Sequence, residues 1–97
     1  GKTRDVCSNE PIDEKFASFG WQVRKVDGHD FAALTAALKA KPTAEKPTMV
    51  IANTIKGRGV SFMENVVSWH HGVPSDEQYA TAQAELAQAA QLLSTSK

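Results

Sequence analysis

Two stretches of this 97-residue chain carry side chains whose type and spacing suit chemistry. The first is Asn53-Thr54-Ile55-Lys56-Gly57-Arg58-Gly59. Its glycines let backbone come close to a ligand, and Lys56 and Arg58 supply positive charge. That combination suits a phosphate or diphosphate, although Lys-Gly-Arg-Gly also occurs as a plain solvated turn. The second is Ser68-Trp69-His70-His71-Gly72. Adjacent imidazoles can ligate a metal, carry protons near neutral pH, or sit on the surface of a loop anchored by Trp69. Metal sites of the zinc type draw on three or four protein ligands. Cys7 and His29 are the only other soft candidates, and neither has motif spacing. No metal ligands are assigned on this basis. His29 reads as a turn residue, Phe62 as a loop anchor, and Cys7 as a residue without a role.

The elements that must position these stretches are legible from periodicity. Gly1 to Pro11 reads as a loop. Ile12, Phe16 and Phe19 lie at helical spacing, and Gly20 stands where a short helix would stop. Trp21 to Val26 alternates apolar with polar for most of its length, which predicts a strand. Asp27-Gly28 signals a turn, and Asp30 can cap a helix with Phe31, Leu34 and Leu38 on one face. Lys39 to Pro47 is a polar loop. Thr48 to Asn53 is a mostly apolar run, as in a strand buried on both faces. Trp21 and the phenylalanines near it read as core.

Thr54 to Pro74 has no clean period and reads as one long loop; loops beyond about 15 residues are usually functional or disordered. Ser75-Asp76-Glu77-Gln78 is a capping box. Behind it, Tyr79, Ala82, Leu86, Ala89 and Leu93 alternate spacings of three and four, which predicts a long helix with a narrow apolar stripe. The order is α/β, with parallel strands joined by a right-handed helical crossover. A pair of parallel strands makes a poor sheet alone, so the reading implies further strands from more chain or another subunit. In such sheets ligands bind beyond the carboxyl ends of the strands, where the long loop begins.

Composition narrows the classes. Eleven basic residues balance eleven acidic ones, which points away from nucleic acid and from anionic membrane surfaces. A single cysteine forms no disulfide within the chain and fits a reducing, cytoplasmic setting. Met49-Val50-Ile51-Ala52 is far too short to span a bilayer.

Taken in order, Phe19-Gly20-Trp21, Asp27-Gly28-His29-Asp30, Lys46-Pro47-Thr48, Thr54 to Glu64, and Trp69-His70-His71-Gly72 resemble transketolase, nearest to the N-terminal subunit of its split bacterial form. The resemblance implies that residues 1–97 are the C-terminal part of a thiamine-diphosphate-binding domain, a partial parallel sheet with flanking helices. It places Lys56, with Ile55 and Gly57, against the cofactor. It makes the histidine before Gly72 the one that assists proton transfer. His71 holds that position here; His70 is the second choice, because the family often carries Trp-His-Gly with one histidine. Glu64 and Asp30 keep structural roles.

The family's metal motif, Gly-Asp-Gly followed by Asn, does not occur in these residues. The resemblance implies that Mg²⁺ is held upstream, and that a second, pyrimidine-binding subunit supplies the activating glutamate. It also implies that the chain stops near the natural end of a split-form subunit. The complete, oligomeric enzyme would move a two-carbon ketol unit between sugar phosphates, and the isolated chain would bind no cofactor tightly and show no transfer. The alternative is an orphan fragment that acts as a small oligomerising or partner-binding module.

Overall fold

A computed structural model describes residues 1–96. The elements are α1 (Thr3–Val6), α2 (Ile12–Ser18), β1 (Gln22–Asp27), α3 (Phe31–Lys39), β2 (Thr48–Asn53), a 3-10 helix (Val67–His70) and α4 (Asp76–Thr95). They fall into two compact units that divide between Thr54 and Ile55.

In the first unit β1 and β2 pair in parallel, from Gln22 opposite Thr48 to Asp27 opposite Asn53. Successive strand residues point to opposite faces, so two polar neighbours in β1 show where the helices lie. Arg24 reaches α3 on one face. Its guanidinium donates to the carbonyls of Ala37 (2.7 Å), Ala40 (3.1 Å) and Lys41 (2.7 Å), and to Gln22 Oε1 (3.3 Å). A helix leaves its last carbonyls without internal partners, and a cation there both satisfies them and opposes the helix dipole. Lys25, on the other face, bonds Asp13 of α2 at 3.0 Å. The sheet therefore carries one helix on each side, as the α/β reading requires.

Local signals act where they were read. Asp30 accepts the Ala33 N–H and caps α3. The Gly28 N–H donates to the Asn53 carbonyl at 2.7 Å, which ties the carboxyl ends of the two strands together. A Cβ on Gly28 would lie 2.6 Å from Thr54 Cγ2 and 3.0 Å from that carbonyl, so this tie needs glycine.

Several expectations are corrected. The segment before Pro11 is not all loop, because Thr3–Val6 closes one helical turn through the Cys7 N–H bond to the Thr3 carbonyl. The aromatic residues do not form a core. Phe16 packs edge-on against Trp21 at 5.3 Å, but Phe19 and Phe31 are 79% and 86% exposed. Nor does the Phe31–Leu38 stripe face the sheet. Ala37 is buried, Ala33 and Leu34 are half-buried, and Leu38 is exposed, so α3 covers Ala33, Leu34 and Ala37 and turns Phe31 and Leu38 outward. β2 is likewise half-buried at Thr48 to Ile51 and exposed at Ala52 and Asn53, not covered on both faces. The common cause is a two-stranded sheet, too narrow to bury either helix deeply. Ala37 is the one buried apolar residue among those described.

In the second unit the long irregular segment contains tight turns and the 3-10 helix, which aperiodic sequence did not announce. α4 begins with the expected box: Ser75 Oγ accepts from Gln78 N–H while Gln78 Oε1 accepts from Ser75 N–H. Tyr79, Leu86 and Leu93 of its stripe are exposed at 58%, 49% and 70%. No helix among the described residues is long and apolar enough to cross a membrane.

Candidate functional site

The segment after β2 is a closed turn. The Asn65 N–H donates to the Lys56 carbonyl at 2.9 Å and joins the two ends. Inside it, Arg58 N–H bonds the Ile55 carbonyl (3.2 Å), Val60 N–H bonds Gly57 (3.3 Å), and Met63 N–H bonds Val60 (2.9 Å). Gly57 sits at φ 74°, a conformation side chains oppose. A Cβ there would also lie 2.5 Å from the Met63 carbonyl oxygen, so both torsion and space demand glycine. Ile55, Lys56 and Gly57, the residues that the resemblance assigns to the cofactor, thus lie on one arm of a single hydrogen-bonded turn. Lys56 and Arg58 are exposed on either side of Gly57.

Carboxylates hold the rest of this turn. Glu64 Oε1 accepts the Gly59 N–H at 3.1 Å. Glu85, from α4, accepts the Ser61 N–H at 2.7 Å and the Ser61 hydroxyl at 2.5 Å. These bonds hold the Glu85 carboxyl below the usual carboxylate range, with the Ser61 hydroxyl the largest cause. The structural role expected of Glu64 is therefore specific: it fixes a backbone amide in the glycine turn. Glu85 escaped sequence reasoning because it lies 24 residues from Ser61 and reads as an ordinary helix-surface charge.

Phe62, in the same turn, packs against Trp69 with ring centres 5.5 Å apart. That contact anchors the 3-10 helix that ends at His70. His71 follows in extended backbone, at φ −149° and ψ 121°. Both imidazoles are exposed. Lys56, His70 and His71 make no side-chain hydrogen bond among the described residues.

A separate open cleft of about 630 Å³ lies in the first unit, lined by residues including Arg4, Asp13, Lys25 and Asn53. It contains none of the residues assigned to the cofactor. Its Lys25–Asp13 pair holds the Asp13 carboxyl below its ordinary value, chiefly through the Lys25 hydrogen bond. Its lining joins Ile12 and Asp13 of α2 to Ile51, Ala52 and Asn53 at the end of β2.

The donor set fits one end of the expected cofactor. Two cations flanking a glycine, on a turn already closed by its own hydrogen bonds, match an anionic diphosphate. Among the described residues no cluster of three or more histidine, cysteine, aspartate or glutamate side chains could hold a metal ion.

A parallel pair of strands with a helix on each face, followed by a closed glycine turn, defines an α/β protein. The chain belongs to the transketolase family: residues 1–91 match its thiamine diphosphate binding domain. It is 37% identical over 89 residues to an apulose-4-phosphate transketolase subunit of Phocaeicola vulgatus, covering 91% of this chain and 32% of that protein. The same-named protein of Actinobacillus succinogenes is 38% identical over 86 residues, 89% of this chain and 31% of its own length. A 6-deoxy-6-sulfo-D-fructose transketolase subunit of a Clostridium species is 38% identical over 87 residues, 89% of this chain and 32% of its own. The chain thus spans about a third of the length of these relatives.

Proposed function

We propose that these residues form the C-terminal third of a transketolase cofactor domain and build one wall of the diphosphate site. The observation that carries this reading is the closed turn from Lys56 to Asn65, with Gly57 pressed on the Met63 backbone and cations on both sides. In this reading Lys56 meets the diphosphate electrostatically, and the Ile55 and Gly57 backbone approaches it closely. His71, with its imidazole open, donates or accepts a proton at a sugar hydroxyl oxygen; His70 is the second candidate. The bound cofactor supplies the electron sink for carbon–carbon cleavage, and Mg²⁺ is held by residues outside this chain.

The partners are the remaining two-thirds of such a polypeptide, together with a second, pyrimidine-binding subunit; the names of the relatives, which are themselves subunits, favour this. The substrates are sugar phosphates or modified sugars, the setting is cytoplasmic, and the assembly is oligomeric. The test is reassembly. The chain is co-expressed with the upstream two-thirds of a relative and with that relative's partner subunit. Two-carbon transfer that falls at least tenfold with Lys56→Ala, and again with His71→Ala, supports the reading. Full activity in both variants ends it. Titration of the 97-residue chain alone with thiamine diphosphate and Mg²⁺ is expected to give no micromolar binding.

A second reading draws on the 86% exposure of Phe31 and 71% exposure of Leu38: a module that associates through α3 without catalysis. Light scattering separates it, since a monomer at high concentration removes it.

A further inference from the structure

We propose that Glu85 is a positioning residue, through which the C-terminal helix sets the geometry of the turn that carries Lys56. The inference rests on the reading of that turn as a cofactor wall for its consequence, and on hydrogen bonds alone for its substance. One carboxylate receives both donors of Ser61, the N–H at 2.7 Å and the hydroxyl at 2.5 Å. Ionised acceptors make the stronger class of hydrogen bond, and a bidentate arrangement adds directional restraint. The bonds join residues 24 apart, so they fasten the crown of the turn to a 20-residue helix instead of to another loop.

Two routes lead outward from Ser61. Along the backbone, the turn closes at the Asn65 N–H to Lys56 carbonyl bond, so restraint on the crown is restraint on Lys56. Through the adjacent Phe62 ring, packed 5.5 Å from Trp69, it reaches the 3-10 helix that ends at His70. Glu64 restrains the neighbouring Gly59 N–H from within the turn, but it belongs to the segment it holds. Glu85 alone of the two brings a fixed point from outside. Leu86, the next residue, supports the same approach: its Cδ2 lies 3.5 Å from where a Cβ on Gly59 would sit.

The test is amide hydrogen exchange with NMR on the 97-residue chain, without any phosphate ligand. It therefore succeeds or fails independently of whether Lys56 meets a diphosphate. Glu85→Ala is expected to speed exchange at Ser61 about tenfold, with a smaller acceleration at Asn65, while α4 amides keep their protection. The Trp69 indole N–H resonance should shift and that of Trp21 should not. Ser61→Ala should reproduce part of the acceleration, and Ser61→Thr, which keeps both donors, should restore slow exchange. Glu85→Gln, which keeps one acceptor oxygen, should fall between. Unchanged exchange at Ser61 and Asn65 in Glu85→Ala, with α4 intact by circular dichroism, overturns the inference. So does a Ser61→Thr variant that behaves like Ser61→Ala.

Discussion

Residues 1–54 and the turn after them are held in different ways. In the first unit, regular strand pairing provides the frame, and one side chain, Arg24, ties it to a helix end. In the second unit the candidate site has no strand at all. It is held by short backbone bonds and by two carboxylates on backbone amides. The first arrangement leaves apolar surface bare because a two-stranded sheet cannot cover it. The second needs little apolar burial, since its backbone amides find partners close at hand. A turn of this kind can therefore be well formed in a chain whose sheet has only two strands.

Substitutions should separate the two regions. The largest effect is expected from Gly57→Ala, which meets the Met63 carbonyl oxygen at 2.5 Å and keeps a φ of 74°. A loss of about 3 kcal/mol is expected for the turn. It should appear as rapid amide exchange at residues 57–65 with β1 and β2 still protected. Arg24→Ala should do the reverse. It leaves three carbonyls, two at the end of α3 and that of Lys41 just after it, without their donor and should cost about 2 kcal/mol in urea unfolding. The turn should keep its exchange pattern. Ser75→Ala removes one half of the capping box and should cost about 1 kcal/mol, read as fraying at the start of α4.

The smallest effect is on pH. The Asp13 and Glu85 carboxyls both lie below their ordinary values in the fold, through Lys25 and Ser61 respectively. Their contributions are therefore complete above the ordinary carboxylate range and fade as pH falls through the depressed values. Both groups are only half-buried, so water screens them and the effect should be slight. Acid titration followed by carboxyl NMR should give low midpoints for both, and Ser61→Ala should raise that of Glu85 alone.

Much of this was legible in the sequence because the signals are short-range. The Asp30 cap and the Ser75–Gln78 box depend on residues three apart. The strands show in apolar patterning, and their parallel pairing follows from the intervening helix. Lys56 and Gly57 were legible as a cationic glycine turn, but its closure was not, because backbone bonds leave no residue-type signature. Arg24 and Glu85 were missed because their partners lie 13 to 24 residues away. Phe31 and Leu38 were seen as a stripe, yet periodicity does not say which of two faces a narrow sheet will take. Ala37 fits closest to the backbone and took that place.

The Arg24 contacts also set where the crossover connection tolerates change in length. The guanidinium grips the carbonyl of Lys41, and Gln22 Oε1 accepts the Thr43 N–H at 3.0 Å. An extra residue between Ala40 and Thr43 would slide these groups out of reach. One placed between Ala44 and Glu45 would disturb only the Lys46 N–H bond to Thr43 and could be absorbed. A tag or a spectroscopic probe inserted there should leave the strand register unaltered.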